Sequence, residues 1–122
     1  MSRVEVPIAT KNPTNVREHW AVRAKRVKKQ RQATRWALVA GLVSARVDPT
    51  TRTPIVVTLT RIGPRAMDDD GAVAAMKHVR DEIAAYFGVN DADPRIAWEY
   101  RQAKGKAAVV IEFEVKAREV AA

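Results

Sequence analysis

The run Ile55-Val-Val-Thr-Leu-Thr-Arg-Ile62 constrains this chain more than any other segment. It is rich in β-branched residues and reads as a strand. Both of its alternating faces are at least half apolar, so neither face can be left to water. Such a strand belongs in the middle of a sheet, and every other element must be arranged around it. The chain has 122 residues, enough for one compact domain spanning 1–122, with about 117–122 expected to fray.

The flanking segments supply the partners. Val4 to Ala9 is short and β-prone. Asn15, with Glu18 three residues on, has the form of a helix-capping box. The helix it starts is expected from about Val16 to about Val43, burying the stripe Val16, Trp20, Ala24, Val27, Thr34, Leu38 and Leu42, which Arg31 interrupts. Asp48 to Pro54 reads as a turn-rich connector. A second helix is expected from the aspartates at 68–70 to about Phe87, with Ala72, Met76, Val79, Ile83 and Phe87 on its buried side and Gly88 as its C-cap. Arg95 to Gln102 and Ala107 to Val115 alternate as strands, and the Gly105 turn between them predicts a hairpin. The order is β-α-β-α-β-β. The fold class is α+β, a single domain in which a small mixed sheet packs against two helices.

Charge is unevenly distributed on a chain of net charge +8. Between Arg17 and Arg35 there are eight basic residues and one acid; between Ala66 and Asp93 there are seven acids and two bases. A positive surface attracts phosphate-bearing partners. An acidic focus on the same molecule would repel them unless a cation neutralised it. There is no cysteine, which excludes disulfides and thiolate metal sites and is compatible with a reducing cytoplasm. No apolar run approaches the roughly 20 residues that span a bilayer, so no membrane partner is expected.

Three readings of Asp68-Asp69-Asp70 compete. One aspartate suits a helix N-terminus, where it meets free amides, but three exceed what one cap requires. A helix-loop-helix calcium loop counted from Asp68 would need glycine sixth and glutamate twelfth, and those positions hold Val73 and Val79. A magnesium site needs one or two carboxylates plus waters and substrate phosphates. Asp68 and Asp70 at a strand-to-helix junction fit that need, and Asp91 and Asp93 arrive from the next loop. On a continuous helix Asp70, Lys77 and Asp81 fall within about 40° of one another. Lys77 there would stabilise charge on a phosphate or simply pair with Asp81. Basic residues of the first helix (Arg17, Arg23, Lys25, Arg26, Lys28, Lys29 and Arg31) are the candidate DNA contacts. His19 and His78 lack any histidine-plus-acid ligand spacing. Trp20, Trp36 and Trp98 are expected in the core.

The segment from Asp68 to Tyr100 resembles the signature of the RusA-type Holliday junction resolvases, a family common in phages. In that family an Asp-x-Asp-Asn opens a helix, followed by a lysine, an aspartate four residues later, a glycine near the helix end and a second acidic pair before a strand. The matching pieces are Asp68 and Asp70, Lys77, Asp81, Gly88, and Asp91 with Asp93. Gly71 stands where the family has asparagine, and Lys77 is seven residues from Asp70 rather than four. The resemblance implies a homodimeric, magnesium-dependent endodeoxyribonuclease that resolves four-way DNA junctions by paired symmetric nicks in a bacterial cytoplasm, with manganese as a substitute metal. It implies that Asp68, Asp70 and Asp91 or Asp93 hold the metal and that Lys77 assists catalysis. The rivals are a nuclease of flaps or other branched DNA, and a non-catalytic basic DNA-binding protein.

Overall fold

The computed structural model describes residues 2–10, 20–41 and 55–115. Its elements are β1 (Ser2–Val6), α1 (Trp20–Ala40), β2 (Ile55–Gly63), α2 (Asp69–Ala75), α3 (Lys77–Phe87), β3 (Ile96–Lys104) and β4 (Ala108–Val115). Asn15, Arg17, Glu18, His19, the residues beyond Gly41 at the end of the first helix, the 48–54 connector and the 117–122 tail lie outside the described residues. The chain is α+β: among the described residues it has one four-stranded mixed sheet, in the order β1-β4-β2-β3, with three helices.

β2 is internal, as its two apolar faces require. It pairs parallel with β3 over Ile55–Gly63 and antiparallel with β4 over Ile55–Ile62. The expected β3–β4 hairpin does not form. β2 lies between those strands, and the short connection at Gly105 crosses the end of β2 instead, where the Gly105 amide donates to the Gly63 carbonyl at 3.0 Å. The fit is close: a Cβ at 105 would stand 3.0 Å from Ile62 Cγ2, and that methyl would have to shift by a few tenths of an ångström to admit it. Inserting β2 satisfies both of its hydrogen-bonding edges, which a β3–β4 hairpin would have denied it on one side.

Alternate residues of the sheet face the helices and build the core. Val4 and Val6 of β1, Val57 and Leu59 of β2, Ile96 of β3, and Val109, Ile111 and Phe113 of β4 meet Leu38 of α1 together with Met76 and, from α3, Val79, Ile83 and Phe87. Phe87 packs edge-on against Phe113, ring centroids 5.4 Å apart. Each such side chain contributes about 1.5–3 kcal/mol on burial. The opposite face carries Arg3, Glu5, Glu99 and Arg101 on its outer strands, exposed to solvent. No described helix is long and apolar enough to cross a membrane.

The second helix is two helices. Its predicted stripe is buried in full, from Ala72 to Phe87. At Met76, however, the backbone turns to φ −99°, ψ 7°, and the Met76 amide is shared between the carbonyls of Ala72 and Val73. The residues around the break are good helix formers, so packing rather than local propensity sets it. Gly88 ends α3 as expected: it is left-handed at φ 79°, and the Val89 amide donates back to the Ala84 carbonyl.

Candidate functional site

The acidic segment leaves the end of β2 through residues 64–68, and two sheet side chains hold that exit. Arg61 of β2 is buried; it donates from Nε to Thr10 Oγ1 (3.1 Å) and from Nη1 to the Arg65 carbonyl (2.9 Å). Gln102 of β3 grips the residue before the aspartates from both sides. Its Oε1 accepts from the Met67 amide at 2.8 Å, and its Nε2 donates to the Met67 carbonyl at 2.7 Å. The side-chain amide thereby acts as one more strand residue paired to Met67, fixing where α2 begins.

Asp68 is the N-cap of α2, with its carbonyl accepting from the Ala72 amide at 2.9 Å, yet its carboxylate makes no capping hydrogen bond. Asp68, Asp69 and Asp70 are all exposed. A cap therefore does not account for the cluster. The helical count that aligned Asp70 with Lys77 does not survive the break at Met76. Lys77 faces Asp81 instead, Nζ to Oδ2 3.5 Å.

The second acidic segment is tied to the same strand. Arg80 of α3 is its hub. It donates from Nη2 to the Asp91 carbonyl (3.1 Å) and from Nη1 to the Tyr100 hydroxyl (2.8 Å), and its guanidinium lies over the Trp98 ring at 4.7 Å. The Trp98 indole donates to the same Asp91 carbonyl at 3.0 Å. Arg80 Nε is 3.2 Å from Asp91 Oδ2, but its N–H finds no hydrogen-bond acceptor, so this pairing is one of charge alone. Asp93 is engaged more tightly. Its Oδ1 accepts from the Arg95 amide and Nε, both at 2.9 Å, and its Oδ2 from Arg95 Nη2 at 2.6 Å. Those hydrogen bonds lower its pKa from 3.8 to about 2. Trp98, Tyr100 and Gln102 occupy alternate positions of β3, so one row of one strand holds both acid-bearing segments by their backbones. Sequence reasoning missed this row. Its signal was present as three large side chains with polar tips at spacing two on a single strand face.

Hard carboxylate oxygens suit magnesium. Among the described residues Asp68 and Asp70 have exposed carboxylates with no ion-pair partner, and Asp91 lacks a directed hydrogen bond to its own, so these three fit such an ion chemically. Asp93 fits less well, since both of its oxygens are occupied by Arg95. No group of three or more acidic, histidine or cysteine side chains converges around one point among the described residues.

The basic side of the molecule is α1. Arg23, Lys25, Lys28 and Lys29 are exposed, and Arg26 and Arg31 half-buried; Arg17 lies outside the described residues. Arg31 does more than snorkel. Arg31 Nη2 and Arg35 Nε reach the two oxygens of Glu82 on α3, at 3.2 and 3.1 Å. Glu82 is buried, so one carboxylate from the acidic stretch clamps α1 to α3. Trp20 and Trp36 are not in the core as expected; they are 76% and 73% exposed. Trp98 does pack at the core edge. His78 is held below its usual pKa by partial burial, reinforced by Lys77, Arg26 and Arg23 and opposed by Asp81.

No protein-family model matches this chain, and neither does any curated protein or any solved structure.

Proposed function

We propose that this chain is a magnesium-dependent endodeoxyribonuclease that cuts branched DNA, with four-way junctions as substrate and paired symmetric nicks made by a homodimer. The observation that carries the reading is the pair of tethers on β3: the same strand row fixes Met67, next to Asp68–Asp70, and the backbone of Asp91. A strained or mobile acidic loop would need no such fixing, whereas carboxylates that must meet one substrate would.

In this reading Asp68, Asp70 and Asp91 would hold the ion, which would supply an activated water and neutralise charge on the scissile phosphate. Asp91 is the loop ligand in preference to Asp93, because its carboxylate is held by charge alone. Lys77 lies beside Asp81 and keeps its ammonium more than half exposed for a phosphate oxygen. Gln102, Trp98 and Arg80 orient the acidic segments and touch no substrate. The cations of α1 bind backbone phosphates, which gives affinity without sequence information. Two copies related by a two-fold axis would present two such sites to two symmetry-related strands of a junction.

The test is cleavage of labelled four-way, three-way, flap and linear duplex DNA by the purified protein with magnesium, and again with EDTA. Metal-dependent paired cuts in the four-way substrate are expected. Equal cutting of linear duplex would overturn the junction assignment.

Two observations favour a second reading, a non-catalytic DNA-binding protein: both loop aspartates face arginines, and no three acids converge among the described residues. A protein of that kind would bind the same DNAs and cut none of them.

A further inference from the structure

Beside Glu82 of α3, α1 borders a groove of about 1050 Å³ whose aromatic and apolar lining the nuclease reading leaves unused. Trp20, Val27, Trp36 and Val39 line it, with Arg23 and Lys28 beside them. The same wall holds Arg31 and Arg35, and its one acid among the described residues is Glu82, which those two arginines already neutralise. Arg23 and Lys28 have no acidic partner among the described residues. The surface is thus aromatic and cationic at once, on a chain of net charge +8.

Three classes of occupant differ in what they require. A second copy docking through this face in a two-fold pair would set the patch against itself, bringing like cations together. Duplex DNA would answer the charge but keep its base faces stacked and out of reach of an indole. An unpaired strand offers both a phosphate chain for the cations and open ring faces for the tryptophans. Along the axis Trp20 and Trp36 are about 24 Å apart, a span of several nucleotides.

We propose that this face of α1 binds unpaired nucleotides, with Trp20 and Trp36 as stacking platforms and Arg23 and Lys28 as phosphate contacts. The inference rests on the nucleic-acid reading above and gives it a substrate feature: the single-stranded bases that open at a branch point.

The experiment uses the full chain in EDTA, so that no cleavage intervenes. Anisotropy of a labelled oligothymidylate of roughly 16 nucleotides is compared with that of a duplex of equal length, for the wild type and for Trp20→Ala, Trp36→Ala and the corresponding Phe variants. Each Trp→Ala change is expected to weaken single-strand binding about tenfold to a hundredfold, to leave duplex binding within about twofold, and to be rescued by Phe. Both tryptophans are exposed, and matched thermal melts would show that the variants fold. Single-strand affinity unchanged in both Ala variants, or equal losses on duplex, would overturn the proposal. So would a Trp36→Ala protein that sediments as a smaller species than the wild type, or displacement of the oligonucleotide by polyglutamate at equal charge concentration. A protein that binds in EDTA but never cuts with magnesium defeats the nuclease reading and leaves this one standing. A protein that binds only duplex defeats this one alone.

Discussion

The acidic corner around β3 and the basic helix α1 carry opposite charge, and they are built in opposite ways. The acids of the corner are held through their backbones. Gln102 pairs with Met67, and Trp98 and Arg80 converge on the Asp91 carbonyl. The carboxylates of Asp68 and Asp70 are left free by that construction. On α1, Arg31 and Arg35 share one buried acid, Glu82, while Arg23, Lys25, Lys28 and Lys29 are exposed and most of the helix surface faces water. Backbone tethering gives position, which chemistry on one bond requires. Loosely arrayed charge gives attraction over a broad surface, which is what backbone phosphates require.

The contrast breaks most visibly at Asp70. Asp70→Asn removes a proposed metal-binding oxygen and should reduce junction cleavage by at least about 100-fold, while affinity in EDTA holds or rises as repulsion with phosphate falls. Gel-shift and single-turnover cleavage measure the two together; parallel losses would mean that the corner is merely part of the binding surface. Next in size is Gln102→Leu. It removes both bonds to Met67 and should lower cleavage about 10- to 100-fold at unchanged junction Kd. Its cost in stability is about 1–3 kcal/mol by denaturant melt, and amide exchange at Met67 to Asp70 should quicken. Exchange that stays slow would show the tether to be dispensable.

On the basic side, Glu82→Gln leaves Arg31 and Arg35 without their charge partner. The arginines are nearly half exposed, so solvent screens part of the effect, and a loss of about 1 kcal/mol is expected. DNA affinity should rise slightly because two more cations are released. A fall in affinity would mean that Glu82 orients those arginines for binding. The smallest effect lies with Asp93. Its pKa is lowered in the folded state, so the stability it contributes is present above about pH 4 and is lost as pH falls toward about 2. Asp93→Asn should lower the urea midpoint slightly at neutral pH and flatten the acid limb of its titration, so that the variant and the wild type converge as pH falls toward about 2.

Particular residues mark where sequence was sufficient. The double-faced Ile55–Ile62 run fixed its own strand as internal, because no other position buries both faces. The 4-3-4-4 apolar spacing from Ala72 to Phe87 fixed the buried side of the second helical segment, and Gly88 its end, because both follow from chain geometry alone. Position in three dimensions decided the rest. Nothing local distinguishes a hairpin at Gly105 from a crossing over β2; the choice follows from which edges of β2 need partners. Nothing local breaks the helix at Met76 or exposes Trp20 and Trp36, since helix-forming residues and tryptophans accept either environment. The bond between Gln102 and Met67 joins residues 35 positions apart, so only the folded sheet brings them together. Sequence thus determined what each segment must bury, and the tertiary structure determined which polar groups meet across the gaps that burial leaves.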